Sequence, residues 1–136
     1  MQRHPDWEPR LAATIRGWQG SAYSLGRADC ARFASACAEA VTGAALWPEG
    51  TPSYKTEAGM VRALKRLGCA DLAAAVSLCL GEPIPALAAH RGDILWDGQA
   101  IGVLGFDGPL VFSHDGLVAV ERGSIVAAWA VGRHDG

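Results

Sequence analysis

Lysine is almost missing from this chain: of its 12 basic residues, ten are Arg and only Lys55 and Lys65 are lysines. The basic groups are scattered, Arg62, Lys65 and Arg66 being the densest cluster, and the formal net charge is −2. Nucleic-acid-binding proteins concentrate positive charge on one face, so no DNA or RNA partner is expected. Long apolar runs are missing too. Nothing approaches the roughly 20 consecutive apolar residues of a membrane span. The start, Met1-Gln2-Arg3-His4-Pro5-Asp6, has no apolar stretch behind it, which argues against an ordinary secretory signal and for synthesis in the cytoplasm. Zinc-type spacing is also lacking. Cys30, Cys37, Cys69 and Cys79 contain no C-x-x-C pair, and no histidine stands near them in a ligand pattern. Four reduced thiols packed as small apolar groups are the expectation, with no metal and no cofactor.

What is present suffices for a core. The chain has 136 residues, 50% hydrophobic and 19% charged, the size and composition of one domain spanning 1–136. Repeats, low-complexity tracts and linkers are absent from it.

The first two-thirds carry helical periodicity. Trp7, Leu11, Ile15 and Trp18 form one stripe that ends at Gly17 and Gly20, with Pro9 in the first turn. After a loop over 21–28, Asp29 stands as an N-cap and Cys30, Phe33, Cys37 and Val41 line a second stripe up to Gly43. Pro48, Gly50 and Pro52 mark 44–55 as a surface loop around Trp47. A third helix is predicted from Thr56, with Met60, Leu64 and Leu67 inward and Gly68 as its stop. A fourth is capped by Asp71, buries Leu72, Val76 and Cys79, and ends at Gly81 ahead of Pro83 and Pro85. From Arg91 the pattern turns strand-like. Apolar runs at 93–96, 100–106, 109–113, 117–121 and 125–131 are punctuated by Asp-Gly at 97–98, 107–108 and 115–116. Asp-Gly suits a tight hairpin turn in which both residues take positive φ. The expectation is α+β, with N-terminal helices packed on a strongly curled, five-stranded antiparallel meander.

Cys30 is the residue with chemical promise. A cysteine in the first turn of a helix gains from the positive end of the dipole, which favours thiolate, while Asp29 beside it opposes that. The loop from Tyr23 to Asp29 is small and polar enough to form a cleft wall. A nucleophilic cysteine also needs a base within hydrogen-bond reach. Two readings of Cys30 stand at this point: an active-site position, or a core thiol on the Phe33 and Cys37 face.

Gly26-Arg27-Ala28-Asp29-Cys30, with Tyr23 upstream, resembles the Gly-X-X-Asp-Cys signature of the NlpC-like cell-wall peptidases, a circularly permuted branch of the papain-like fold. In that family a sheet begins with Gly-Asp and an apolar run, matched by Arg91-Gly92-Asp93-Ile94-Leu95. Its second strand carries the base in His-Val-Gly-Ile, matched by Ala100-Ile101-Gly102-Val103. The resemblance covers 21–131 and implies Cys30 as nucleophile position, but Ala100 occupies the base position and a methyl group accepts no proton. The whole chain is also similar to small proteins of tailed phages and prophages. The shared features are the Gly-Arg-X-Asp-Cys opening, the stretch from Tyr54 to Gly59, the Arg-Gly-Asp start of the sheet and a closing Ala128-Trp129. That resemblance implies a place in the virion tail tip, with other tail proteins as partners.

Other candidates follow from position. His114, in Ser113-His114-Asp115 at the end of the third strand, is the candidate substitute base, although a histidine beside an Asp-Gly turn is usually just solvated. His90 reads as a surface residue or a cap, and His4 and His134 as solvent-exposed ends. Asp93 is expected to support a turn, and Asp93 and Asp97 do not form an acid–base pair. Trp96 and Trp129 are expected in the core or an interface. Trp47, in its Pro-rich loop, is the candidate partner anchor. The expected function is a tail-tip structural or assembly protein on an NlpC-like scaffold with an impaired site, a pseudoenzyme. The alternative is an active cysteine peptidase or amidase cleaving peptidoglycan peptides, with Cys30 attacking, His114 as base and N–H groups of the Cys30 helix holding the oxyanion.

Overall fold

The computed structural model describes residues 2–47 and 54–133. Among these described residues four helices come first: α1 (Trp7–Trp18), α2 (Cys30–Thr42), α3 (Glu57–Arg66) and α4 (Leu72–Leu80). Five strands follow: β1 (Ile94–Trp96), β2 (Ile101–Leu104), β3 (Pro109–Ser113), β4 (Gly116–Ala119) and β5 (Ala127–Trp129). The architecture is α+β, as the change of period predicts. Pro48, Gly50, Pro52 and His134 lie outside the described residues.

Local chemistry accounts for the helix boundaries. Asp29, Thr56 and Asp71 each accept a hydrogen bond from a backbone N–H in the first turn of α2, α3 and α4, satisfying donors that the helix leaves open. Gly43 ends α2 in the left-handed region at φ 86°. Leu11 and Ile15 are the buried residues of α1, and Phe33, Cys37 and Val41 are fully buried on α2. In α3 Ala63 is buried, and Met60, Leu64 and Leu67 on the same face are partly buried, Leu64 packing against the main core.

Every strand is antiparallel to its neighbours, but the order is β4-β3-β2-β1-β5. The expected full meander is therefore corrected. The first four strands form hairpins, and β5 crosses back to pair with β1, Ala128 standing opposite Leu95. The tight-turn signal stops at 115–116. Between β4 and β5 lies a short 3-10 turn, Arg122–Ser124, and Ile125 beyond it packs with Leu95, Leu104 and Ala128 in a small second core. Burying that apolar set on the far face carries the strand across the sheet. Val126 N–H then donates to the Trp96 carbonyl at 2.7 Å.

The reason given for the turns is also corrected. No residue other than glycine has positive φ among the described residues, so the aspartates do not adopt the mirror-image turn. Ser113 pairs with Gly116 across His114 and Asp115, and the positive φ of this turn falls on Gly116 (φ 82°) alone.

The main core lies between α1, α2 and one face of the sheet, where Ile94, Ile101, Val103, Phe112 and Trp129 meet Leu11, Phe33, Cys37 and Val41. Trp18 packs edge-on against both Phe33 and Phe112, with ring centroids at 5.6 and 4.9 Å. Trp129 is buried as expected, and its indole N–H donates to Ser77 Oγ at 3.0 Å. No helix among the described residues is long and apolar enough to cross a membrane.

Candidate functional site

Cys30 opens α2 with its thiol partly buried. The sulfur faces the backbone N–H of Ile101 at the start of β2, and the N–H groups of Ala31 and Cys30 itself. Burial pushes the thiol up from its ordinary value, and the neighbouring Asp29 carboxylate adds to the rise; the three N–H groups oppose it without prevailing. The helix start therefore does not yield a thiolate here, because loss of solvent outweighs the helix dipole.

The rest of the signature has an architectural job. Asp29 is 2% exposed. Its carboxylate accepts from Arg32 N–H (2.9 Å), Gly26 N–H (2.8 Å) and the Tyr54 hydroxyl (2.9 Å). Gly26 has φ +84°, and a Cβ there would stand 1.8 Å from the Tyr54 carbonyl oxygen. The glycine and the aspartate thus clamp the 54–59 segment onto the start of α2. Burial and the Asp29 carboxylate drive the Tyr54 phenol far above its ordinary range, which keeps it a neutral donor. The Arg32 guanidinium lies over its ring at 5.8 Å. Sequence reasoning singled out both segments but not their contact.

Among the described residues, no histidine is one of the groups that shift the Cys30 thiol. His114 is exposed, and its ring lies 4.3 Å from that of Tyr23, tilted by 35°. Tyr23 is the nearer group: burial raises its phenol, and the charges of Asp29 and Cys30 add to the rise. The structure thus brings Cys30, Asp29 and Tyr23 together and leaves His114 on the outer side of Tyr23. Ala100 directly precedes Ile101, and its N–H donates to Asp97 Oδ1 at 2.7 Å. Asp97 organises that turn and is no partner of Asp93.

Three expectations change. Trp47 is not an exposed anchor: it is partly buried against the core, and its indole N–H donates to the Ala31 carbonyl at 3.0 Å. His4 is partly buried, and its Nδ1 accepts from Asp6 N–H at 3.0 Å just before α1. Asp93 does more than support a turn. It is fully buried, accepts from His90 and Val131 N–H, and forms ion pairs with Arg3 and Arg133. Partners 90 and 40 positions away leave no local signal in the sequence. Among the described residues no cluster of three or more His, Cys, Asp or Glu could hold a metal ion.

The fold and site define an α+β domain in which a cysteine opening a helix faces the second strand of an antiparallel sheet. Residues 2–131 match the DUF6950 family, a domain of unknown function, and the chain belongs to that family. No curated protein and no solved structure matches it.

Proposed function

We propose that this protein is a non-hydrolytic structural or assembly component of a phage tail tip, built on an NlpC-like frame whose cysteine no longer works as a nucleophile. The carrying observation is the surroundings of Cys30: a thiol raised by burial, faced by backbone N–H groups and Asp29, with an alanine where the related peptidases place their base. General acid–base help is worth roughly two to four orders of magnitude, so a cysteine hydrolase without it would be feeble. The tail-tip assignment draws on the similarity of the whole chain to small phage and prophage proteins.

Alkylation by iodoacetamide across pH tests the chemical half. Cys30 in the folded protein should ionise above a free thiol. Ala100→His should lower that apparent pKa and speed alkylation, by placing an imidazole beside the Ile101 N–H. Wild-type alkylation at neutral pH faster than that of a free thiol would overturn the inert reading. Mass spectrometry of purified virions tests the assembly half: the chain should co-purify with tail proteins, and absence from every virion fraction rejects it.

A second reading, hydrolysis of cell-wall peptide, draws on the His114 ring against Tyr23, which feels the charge of Cys30. It requires peptidoglycan peptide cleavage that Cys30→Ala and His114→Ala both abolish.

A further inference from the structure

At the end of the molecule away from Cys30 lies a cleft of about 540 Å³ into which four of the ten arginines project. Arg3 arrives from the N-terminal segment, Arg91 from the turn before β1, Arg122 from the 3-10 turn after β4, and Arg133 from beyond β5. The cleft sits near the C-terminal end of α2, where the N–H of His4, next to Arg3, donates to the Val41 carbonyl. Cys30 opens the same helix, so its 13 residues set the two places about 18 Å apart.

The arginines divide into two pairs. Arg3 and Arg133 are committed to Asp93 and to backbone carbonyls. Arg91 and Arg122 are exposed. Arg91 stacks on the Phe106 ring at 5.1 Å, and Arg122 spends one nitrogen on the Ala89 carbonyl at 3.1 Å. Each guanidinium thus has one contact with the protein, and these two contacts occupy only part of the five N–H donors each carries. Against the four cations stand Asp93 beneath the cleft and Glu8 at its wall, leaving the site two charges positive in a chain whose net charge is −2. The volume lies in the range of small-molecule sites, and guanidinium forks match carboxylate and phosphate geometry.

We propose that this cleft binds a small organic dianion through Arg91 and Arg122, its charge presented as carboxylates or as a phosphate. The inference is independent of any role for Cys30. The test is an amide chemical-shift titration of the full chain with glutarate and, separately, inorganic phosphate, at ionic strength held constant with chloride. Saturable shifts should be confined to residues around 89–92, 104–106 and 122, and the tighter of the two anions identifies the oxoanion. Arg91→Gln, which leaves the Asp93 ion pairs untouched, should raise Kd about tenfold, the scale of one charged hydrogen bond. Arg91→Gln with Arg122→Gln should abolish saturation, whereas Arg66→Gln on the exposed side of α3 should change nothing. Failure of both anions to saturate, or an unchanged Kd in Arg91→Gln, overturns the proposal.

Discussion

A thiol sealed among apolar side chains keeps its proton, because its anion has no solvent to enter. Cys37 is fully exposed to this effect: burial pushes it up to about 12, while the same group in the unfolded chain ionises near 9. The folded state therefore holds the proton more tightly than the unfolded state. The resulting contribution is fully present below pH 9 and is lost as pH rises through the folded value. Between pH 8 and pH 11 the protein should lose roughly 2–3 kcal/mol from this residue. Cys30, raised in the same direction, should add to the loss. Urea midpoints measured under reducing conditions should fall across that range, and Cys37→Ala should flatten the fall. At this scale the sequence was informative about residue type: Cys30 was legible as a helix-opening cysteine because Asp29 is a strong cap. Its raised pKa was not legible, because desolvation depends on what β2 brings over it.

Helix boundaries follow from caps and stop residues that act on backbone groups within four positions of themselves, and for that reason α1, α2, α3 and α4 sit where their periodicity places them. The docking of the 54–59 segment onto α2 is also an element-scale event, and Gly26 is its weak point. Gly26→Ala would force a Cβ into the Tyr54 carbonyl and strain a φ of +84°, so the segment must move away. Removing this contact with the Tyr54 bond to Asp29 should destabilise the fold by about 2 kcal/mol. Increased proteolysis around 54–59 together with a lowered urea midpoint would check it; an unchanged midpoint would refute the clamp. The strand-pairing order is the counter-example. Each hairpin was readable from its Asp-Gly pair, but the return of β5 to β1 depends on Ile125 finding Leu95 and Leu104, thirty and twenty-one positions back.

Across the whole molecule, Asp93 joins both ends of the chain to the start of the sheet, accepting from Arg3, Arg133, His90 and Val131. Removing one partner from a buried ion cluster leaves charge uncompensated, so Asp93→Asn should cost about 3–5 kcal/mol. Equilibrium unfolding in urea checks this, and a loss under 1 kcal/mol would show that the cluster is not a structural hub. By itself the sequence determined the class of fold, the helix limits and the position of a cysteine at a helix start, since propensity, capping and periodicity act over a few residues. Only the tertiary structure decided the strand order, the burial of the thiol, the seat of Trp47, the Asp93 hub and the convergence of four arginines. Each of those is a meeting of groups far apart along the chain, and side-chain periodicity carries no record of which distant groups will meet.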